Sequence, residues 1–244
     1  MSASALPFDS TRSTPSSVVL VHGWAGSFDE TWQSTGFSLL LEEGGKEVIG
    51  VDLLGHGAAP KPHDPEAYAD LTERVIDALP DAPVSGIGFS LGALTLLRTA
   101  IRHPDRFGRL VLAGIGRNVF DRDHSNATEL AEGLEALVNG APEESLSQSV
   151  RTFARYAQQP GKDLPALAAV MRRPPAGDIE PAHLAAVTCP VLIVVGEDDF
   201  VHPGDELAAA FPDGRVVTLP RTDHFATPES FGFFDAALDF VGAQ

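Results

Sequence analysis

One cysteine, Cys189, stands in a chain of 244 residues, so no disulfide can form within it. It lies beside Pro190 at the start of an apolar run, and no motif surrounds it. The expectation is a partly buried, inert thiol. Basic residues are also few: 17 Lys and Arg stand against 34 Asp and Glu, for a formal net charge of −17. No basic stripe occurs anywhere, which argues against nucleic acid or an anionic membrane surface as partner. The acidity does not by itself point to a cationic substrate, because acidic surfaces commonly serve solubility. No apolar run approaches the roughly 18–20 residues that span a bilayer. The polar start, Met1 to Ser17, lacks the basic-then-apolar order of a signal peptide. The expectation is a cytoplasmic protein with a flexible arm over residues 1–17. The eight histidines are scattered, with no H-E-x-x-H and no clustered ligand spacing, so neither a metal nor a cofactor is expected.

What is present is an alternation of strand and helix patterns. Val18–Val21, Val48–Asp52, Val84–Phe89, Leu110–Ile115, Val191–Val195 and Arg215–Leu219 are short, β-branched apolar runs of the kind buried in parallel sheets. Helical spacing separates them, over Phe37–Leu41, Pro65–Leu79, Leu91–Ile101, Asp205–Phe211 and Pro228–Val241. Strands alternating with helices predict a doubly wound α/β sheet. The alternation stops after Gly116. From Arg117 to about Pro181 the pattern is helical only, over Thr128–Val138, Glu143–Gln158 and Asp163–Arg172. A stretch of roughly 65 residues is too long for a loop and predicts a packed helical insertion. The expected organisation is a core of 18–116 and 182–244 with a cap, or lid, at 117–181.

Gly88-Phe89-Ser90-Leu91-Gly92 sits where the third strand turns into a helix. A sharp strand-to-helix turn lifts a serine hydroxyl to the edge of a sheet and aims backbone N–H groups at the same point. A G-x-S-x-G pentapeptide alone arises by chance in roughly one chain in ten of this length. Its partners carry the argument. A serine nucleophile needs a base, and the base needs a carboxylate that fixes its tautomer. Gly196-Glu197-Asp198-Asp199 follows the fifth strand and offers two adjacent acids. His224 follows the sixth strand, with Asp223 beside it. Donors for a developing oxyanion are the N–H of Leu91 and an N–H from the loop His22-Gly23-Trp24-Ala25-Gly26, where Gly23 permits close approach and Trp24 can donate. Each of these residues follows a strand, and in an open α/β sheet ligands bind at the strands' carboxyl ends.

These motifs resemble the α/β-hydrolase superfamily, from about Val18 onward and including the helical insertion. The resemblance implies Ser90 as nucleophile, His224 as base and Asp199, rather than Asp198, as the orienting acid. It implies an oxyanion hole from the backbone N–H groups of Trp24 and Leu91, and no cofactor or metal. Asp52-Leu53-Leu54-Gly55-His56-Gly57 is similar to that family's D-x-x-G-x-G loop, which is mostly architectural. The family usually opens with a two-stranded hairpin, which the polar first seventeen residues cannot form. About six strands in the order 2-1-3-4-5-6 are therefore expected, with the loss at the edge remote from the site.

The implied activity is hydrolysis of a small carboxylic ester through an acyl-enzyme, with a small molecule as substrate. Lactone, thioester and C–C bond hydrolysis use the same triad and stay open, as do perhydrolysis, a lyase reaction in which His224 abstracts a proton, and a silent small-molecule binder. Relatives that open epoxides or remove halogens carry Asp where this chain has Ser90. Within the cap, Phe120, Phe153, Tyr156 and Met171 are candidates to line the pocket. Arg117, Arg155, Arg172 and Arg173 are candidates for a substrate carboxylate, although solvated helix faces explain them more simply. Nothing in the sequence speaks to oligomeric state.

Overall fold

The computed structural model describes residues 14–120 and 124–243, with the side chains of 124–126 left out. A six-stranded parallel sheet organises them, in the order β2-β1-β3-β4-β5-β6. Its strands are β1 (Ser17–Val21), β2 (Glu47–Val51), β3 (Val84–Phe89), β4 (Phe107–Ala113), β5 (Val191–Gly196) and β6 (Gly214–Leu219). The central β1, β3 and β5 are buried along their whole length, which is why their sequences read as unbroken apolar runs. Of the expected arm, residues 1–13 lie outside the described residues. Ser17 already opens β1, and the Pro15 carbonyl accepts a hydrogen bond from Lys46 Nζ at 3.1 Å.

Helices cover both faces of the sheet. On one face lie α1 (Phe37–Glu43) and α9 (Phe231–Val241), where Phe37, Phe233, Phe240 and Trp32 form an aromatic core. On the other lie α2 (Thr72–Ala78), α3 (Leu91–Arg102) and α8 (Asp205–Ala209), packed through Val75, Leu96, Leu97 and Leu207. Inside α3 the buried hydroxyls of Thr95 and Thr99 donate to the carbonyls of Leu91 and Thr95, each at 2.8 Å, so neither is left unsatisfied.

Three expected helices are shorter or broken. Pro65–Leu79 becomes a 3-10 turn at Pro65–Tyr68 followed by α2, because the Asp70 carboxylate takes the Thr72 N–H at 2.9 Å and its hydroxyl at 2.7 Å and starts a new helix there. Glu143–Gln158 begins as a 3-10 turn, and α5 (Gln148–Ala157) starts only after Ser147, whose side chain caps the Val150 N–H. The last helix starts at Phe231, where the Ser230 hydroxyl accepts the Phe233 N–H at 3.1 Å.

Between β4 and β5 the described residues contain no strand. This segment holds α4 (His124–Val138), α5, α6 (Leu164–Met171) and α7 (Pro181–Leu184). Leu134, Ala154 and Leu167 form a small core of its own, against which Trp24 and Ala25 of the β1 loop are packed. Trp24 Nε1 donates to the Leu167 carbonyl at 3.2 Å, Lys162 pairs with Glu30 at 3.3 Å, and His63 pairs with Asp163 at 3.0 Å. The helical segment is thereby fastened above the carboxyl ends of the strands.

Candidate active site

Ser90 occupies the turn between β3 and α3 with φ 52° and ψ −112°, a left-handed conformation that costs a non-glycine residue about 1–3 kcal/mol. The flanking glycines make the turn possible. A Cβ on Gly92 would stand 2.3 Å from the Val21 carbonyl oxygen, and one on Gly88 would stand 2.8 Å from the Gly92 backbone. The Ser90 N–H donates to the Ala113 carbonyl at 2.8 Å, which ties the turn to the end of β4.

His224, in the loop after β6, places Nε2 3.0 Å from Ser90 Oγ, 134 residues away in sequence. Its Nδ1 lies 2.9 Å from Asp199 Oδ2 and 3.1 Å from Oδ1. Both His224 and Asp199 are buried, and Asp199 also accepts the Val201 N–H at 3.0 Å. Asp198 is exposed and away from the imidazole. Asp223 is exposed too, and its carboxylate accepts the Ala226 N–H at 2.9 Å. Of the rival acids, Asp199 alone reaches the ring. Phe89, Phe200 and Phe225 enclose His224, with centroids 5.0, 4.5 and 5.8 Å from its own.

The β1 loop is braced from beneath. The Leu53 N–H donates to His22 Nε2 at 3.1 Å, so the proton of the neutral ring sits on Nδ1, which donates to the Gly23 carbonyl at 2.7 Å. Asp52 holds the next loop by accepting the N–H groups of Phe28 and Ala58, each at 2.7 Å. The backbone N–H groups of Trp24 and Leu91 have no hydrogen-bond partner among the described residues. That of Leu91 belongs to the first turn of α3, where no intrahelical acceptor exists.

His22 and His56 carry a pH dependence. Burial pulls both below the ordinary 6.5. For His22 the Gly23 hydrogen bond and Asp52 oppose the shift, while His56 falls to about 3. Both are neutral when folded and free to protonate when unfolded. Stability is therefore full above about pH 6.5 and falls as the pH drops through the interval down to the folded values, by at most about 1.4 kcal/mol per pH unit for each histidine. Urea titrations between pH 8 and 4.5 are expected to record this loss, with a shallower slope for His56→Asn. An unchanged slope in that variant would contradict the account.

The hydroxyl opens into a cleft of about 470 Å³, walled by Trp24, Phe153, Tyr156 and Phe225 beside Ser90 and His224. Phe153 and Tyr156, two of the four cap candidates, do line it. Phe120 instead packs against the main core and Met171 inside the cap cluster. None of the four cap arginines lines it. Arg117 donates to the Phe200 carbonyl at 3.1 Å, Arg155 pairs with Glu143, Arg172 pairs with Glu135 at 2.9 Å, and Arg173 donates to the Val170 carbonyl. Sequence reasoning missed the contributions of Glu30, Thr31 and Thr35, which come from and just after an irregular helical turn at Asp29–Gln33. It also missed Phe200 and Phe225, whose only sequence signal is adjacency to the acid and the base. Among the described residues no cluster of His, Cys, Asp or Glu could hold a metal ion, and no helix is long and apolar enough to cross a membrane.

A sequence model of the alpha/beta hydrolase family matches residues 18–239. The chain is 30% identical over 239 residues to the pimeloyl-acyl-carrier-protein methyl ester esterase of Neisseria meningitidis, covering 85% of this chain and 70% of that one. It is 28% identical over 213 residues to the 2-(acetamidomethylene)succinate hydrolase of Mesorhizobium japonicum, covering 75% and 73%. A solved hydrolase from Pseudomonas aeruginosa PA01 matches with a TM-score of 0.66 at 26% identity, over 94% of this chain and 91% of that one.

Proposed function

The chain belongs to the alpha/beta hydrolase family, and we propose that it cleaves small carboxylic esters through an acyl-enzyme on Ser90. The observation that carries this reading is the continuous hydrogen-bonded row from Ser90 Oγ through His224 to Asp199, at 3.0 and 2.9 Å. Ser90 Oγ attacks the ester carbonyl while His224 Nε2 takes its proton. Asp199 holds the Nδ1 proton and stabilises the imidazolium that forms. The carbonyl oxygen becomes an oxyanion facing the unpaired N–H groups of Trp24 and Leu91, which need no rearrangement to receive it. As the tetrahedral intermediate collapses, the C–O bond to the alcohol breaks and His224 returns its proton to the departing oxygen. Water, deprotonated in turn by His224, then attacks the acyl carbonyl, and the acid is released with Ser90 restored.

Segment 117–181 acts in this reading as the cap that excludes water and shapes the substrate, since Phe153 and Tyr156 come from it. Esterase and hydrolase names among the relatives support the same reaction class. A fluorophosphonate reports directly on an activated serine. The expected result is one adduct per chain, mapped by mass spectrometry to the peptide containing Ser90, and none in Ser90→Ala. A wild-type protein that stays unlabelled would overturn the proposal.

A further inference from the structure

The charge lining the cleft is of one sign. Glu30, Asp223 and Glu229 line it together with the aromatic walls, and no Lys or Arg does so. Glu30 is tied to Lys162, whose ammonium also sits 3.7 Å over the Tyr156 ring and lines a separate cavity of about 100 Å³. Asp223 and Glu229 have no cationic partner among the described residues. Part of the acidic lining is felt inside: burial first, then Glu30 and Glu229, push the Tyr156 phenol up to about 12. The arginines that would greet an anion are held elsewhere by carbonyls and carboxylates.

The rest of the lining includes the rings of Trp24, Phe89, Phe153, Tyr156 and Phe225, together with the neutral side chains of Thr31, Thr35 and Gln159. Phe225 lies at centroid distances of 5.1 Å from Phe153 and 6.1 Å from Tyr156, and Trp24 lies 6.1 Å from Phe153. Ring faces attract ammonium ions through their quadrupoles, most strongly where water is partly excluded. The Lys162 ammonium over Tyr156 is an instance of that contact within the molecule itself. An acidic protein of net charge −17 also draws cations toward its surface and repels anions from it.

We propose that the cleft selects carboxylic esters bearing an alkylammonium group and turns away substrates bearing a carboxylate. This rests on the ester-hydrolase reading above. The rings supply the hydrophobic and cation–π contacts, and Asp223 and Glu229 supply the uncompensated charge. Ser90 attacks the ester carbonyl in the same way whichever side of the ester carries the ammonium.

Three matched esters test it: butyrylcholine, its uncharged carbon isostere 3,3-dimethylbutyl butyrate, and mono(3,3-dimethylbutyl) succinate. The expected kcat/KM for the choline ester exceeds that for the isostere by about 10-fold or more, and the succinate falls below the isostere by a similar factor. The Asp223→Asn, Glu229→Gln double variant is expected to bring the choline-to-isostere ratio toward one. A ratio measured on one preparation does not depend on how much of it is folded. A wild-type ratio near one, a succinate that reacts fastest, or a ratio that survives in the double variant would each overturn the proposal. If Ser90 is labelled by fluorophosphonate and the isostere is hydrolysed without charge discrimination, only the selectivity fails. If none of the three is hydrolysed and Ser90 is unlabelled, the ester-hydrolase reading fails with it.

Discussion

Ser90→Ala and His224→Ala are each expected to lower kcat on a good ester by about 10⁴- to 10⁶-fold, and the double variant by no more than the worse single one. The reason is that in the proposed mechanism the two groups act as one unit. Without the Nε2 acceptor 3.0 Å from Oγ, the hydroxyl keeps its proton and is a poor nucleophile; without the hydroxyl, the base has nothing to activate but water. Once either is gone, removing the other costs little, and residual turnover comes from binding and oxyanion stabilisation alone. Single-turnover kinetics of all three variants, with thermal unfolding as the control for folding, decide the matter. Near-wild-type turnover in Ser90→Ala together with loss in His224→Ala would instead indicate proton abstraction by His224, the lyase chemistry that the same scaffold permits.

The second large effect is expected from Asp199→Asn, a loss of about 10⁴-fold in kcat with little change in KM. The buried carboxylate only accepts hydrogen bonds, so it demands a proton on His224 Nδ1 and leaves Nε2 free to act as base. An amide in its place can present N–H to Nδ1, which moves the ring proton to Nε2 and turns it toward Ser90 Oγ. The catalytic groups stay in position with the proton on the wrong nitrogen. Asp198→Asn is the matched control: that side chain is exposed, and its substitution is expected to change kcat by less than about two-fold, corresponding to the ±0.5 kcal/mol typical of surface sites. Equal losses in the two variants would remove Asp199 from its proposed role.

The alternation of strands and helices was legible because it is written locally. A run such as Val18-Val19-Leu20-Val21 can be buried on both faces only inside a parallel sheet, and the intervening helical stripes supply the covering layers. The order of the six strands came from the resemblance to the α/β-hydrolase superfamily together with the missing hairpin signal. Element boundaries were less legible. Asp70, Ser147 and Ser230 restart helices through single side-chain hydrogen bonds, which the apolar periodicity around them does not register.

At the candidate site, Ser90, His224 and the pair Asp198 and Asp199 were nameable in advance because each follows a strand, and a parallel sheet gathers the carboxyl ends of its strands on one edge. Choosing between Asp198 and Asp199 from the residues alone was not possible. The choice depends on which of two adjacent side chains turns inward, and resemblance to a family was needed to make it. The walls of the cleft were legible only in part: Phe153 and Tyr156 were candidates and line it, while Phe120 and Met171 do not and the acidic lining was not foreseen. Glu30 and Thr31 come from an irregular turn, Phe225 and Glu229 from beyond the last strand, and Phe153 from the cap, a juxtaposition that no spacing announces.

What the sequence by itself determined is therefore the α/β alternation and the placing of Ser90, His224 and an Asp pair each after a strand, products of local pattern and covalent order. The strand order and the preference for Asp199 came through resemblance to a family. What only the tertiary structure decided is the character of the space above Ser90. The four cap arginines that made an anionic substrate conceivable are held by carbonyls and carboxylates away from the cleft, while acids from distant segments line it. Charge in a pocket depends on which side chains face one another after folding, and residues far apart in sequence carry no local signal of that meeting.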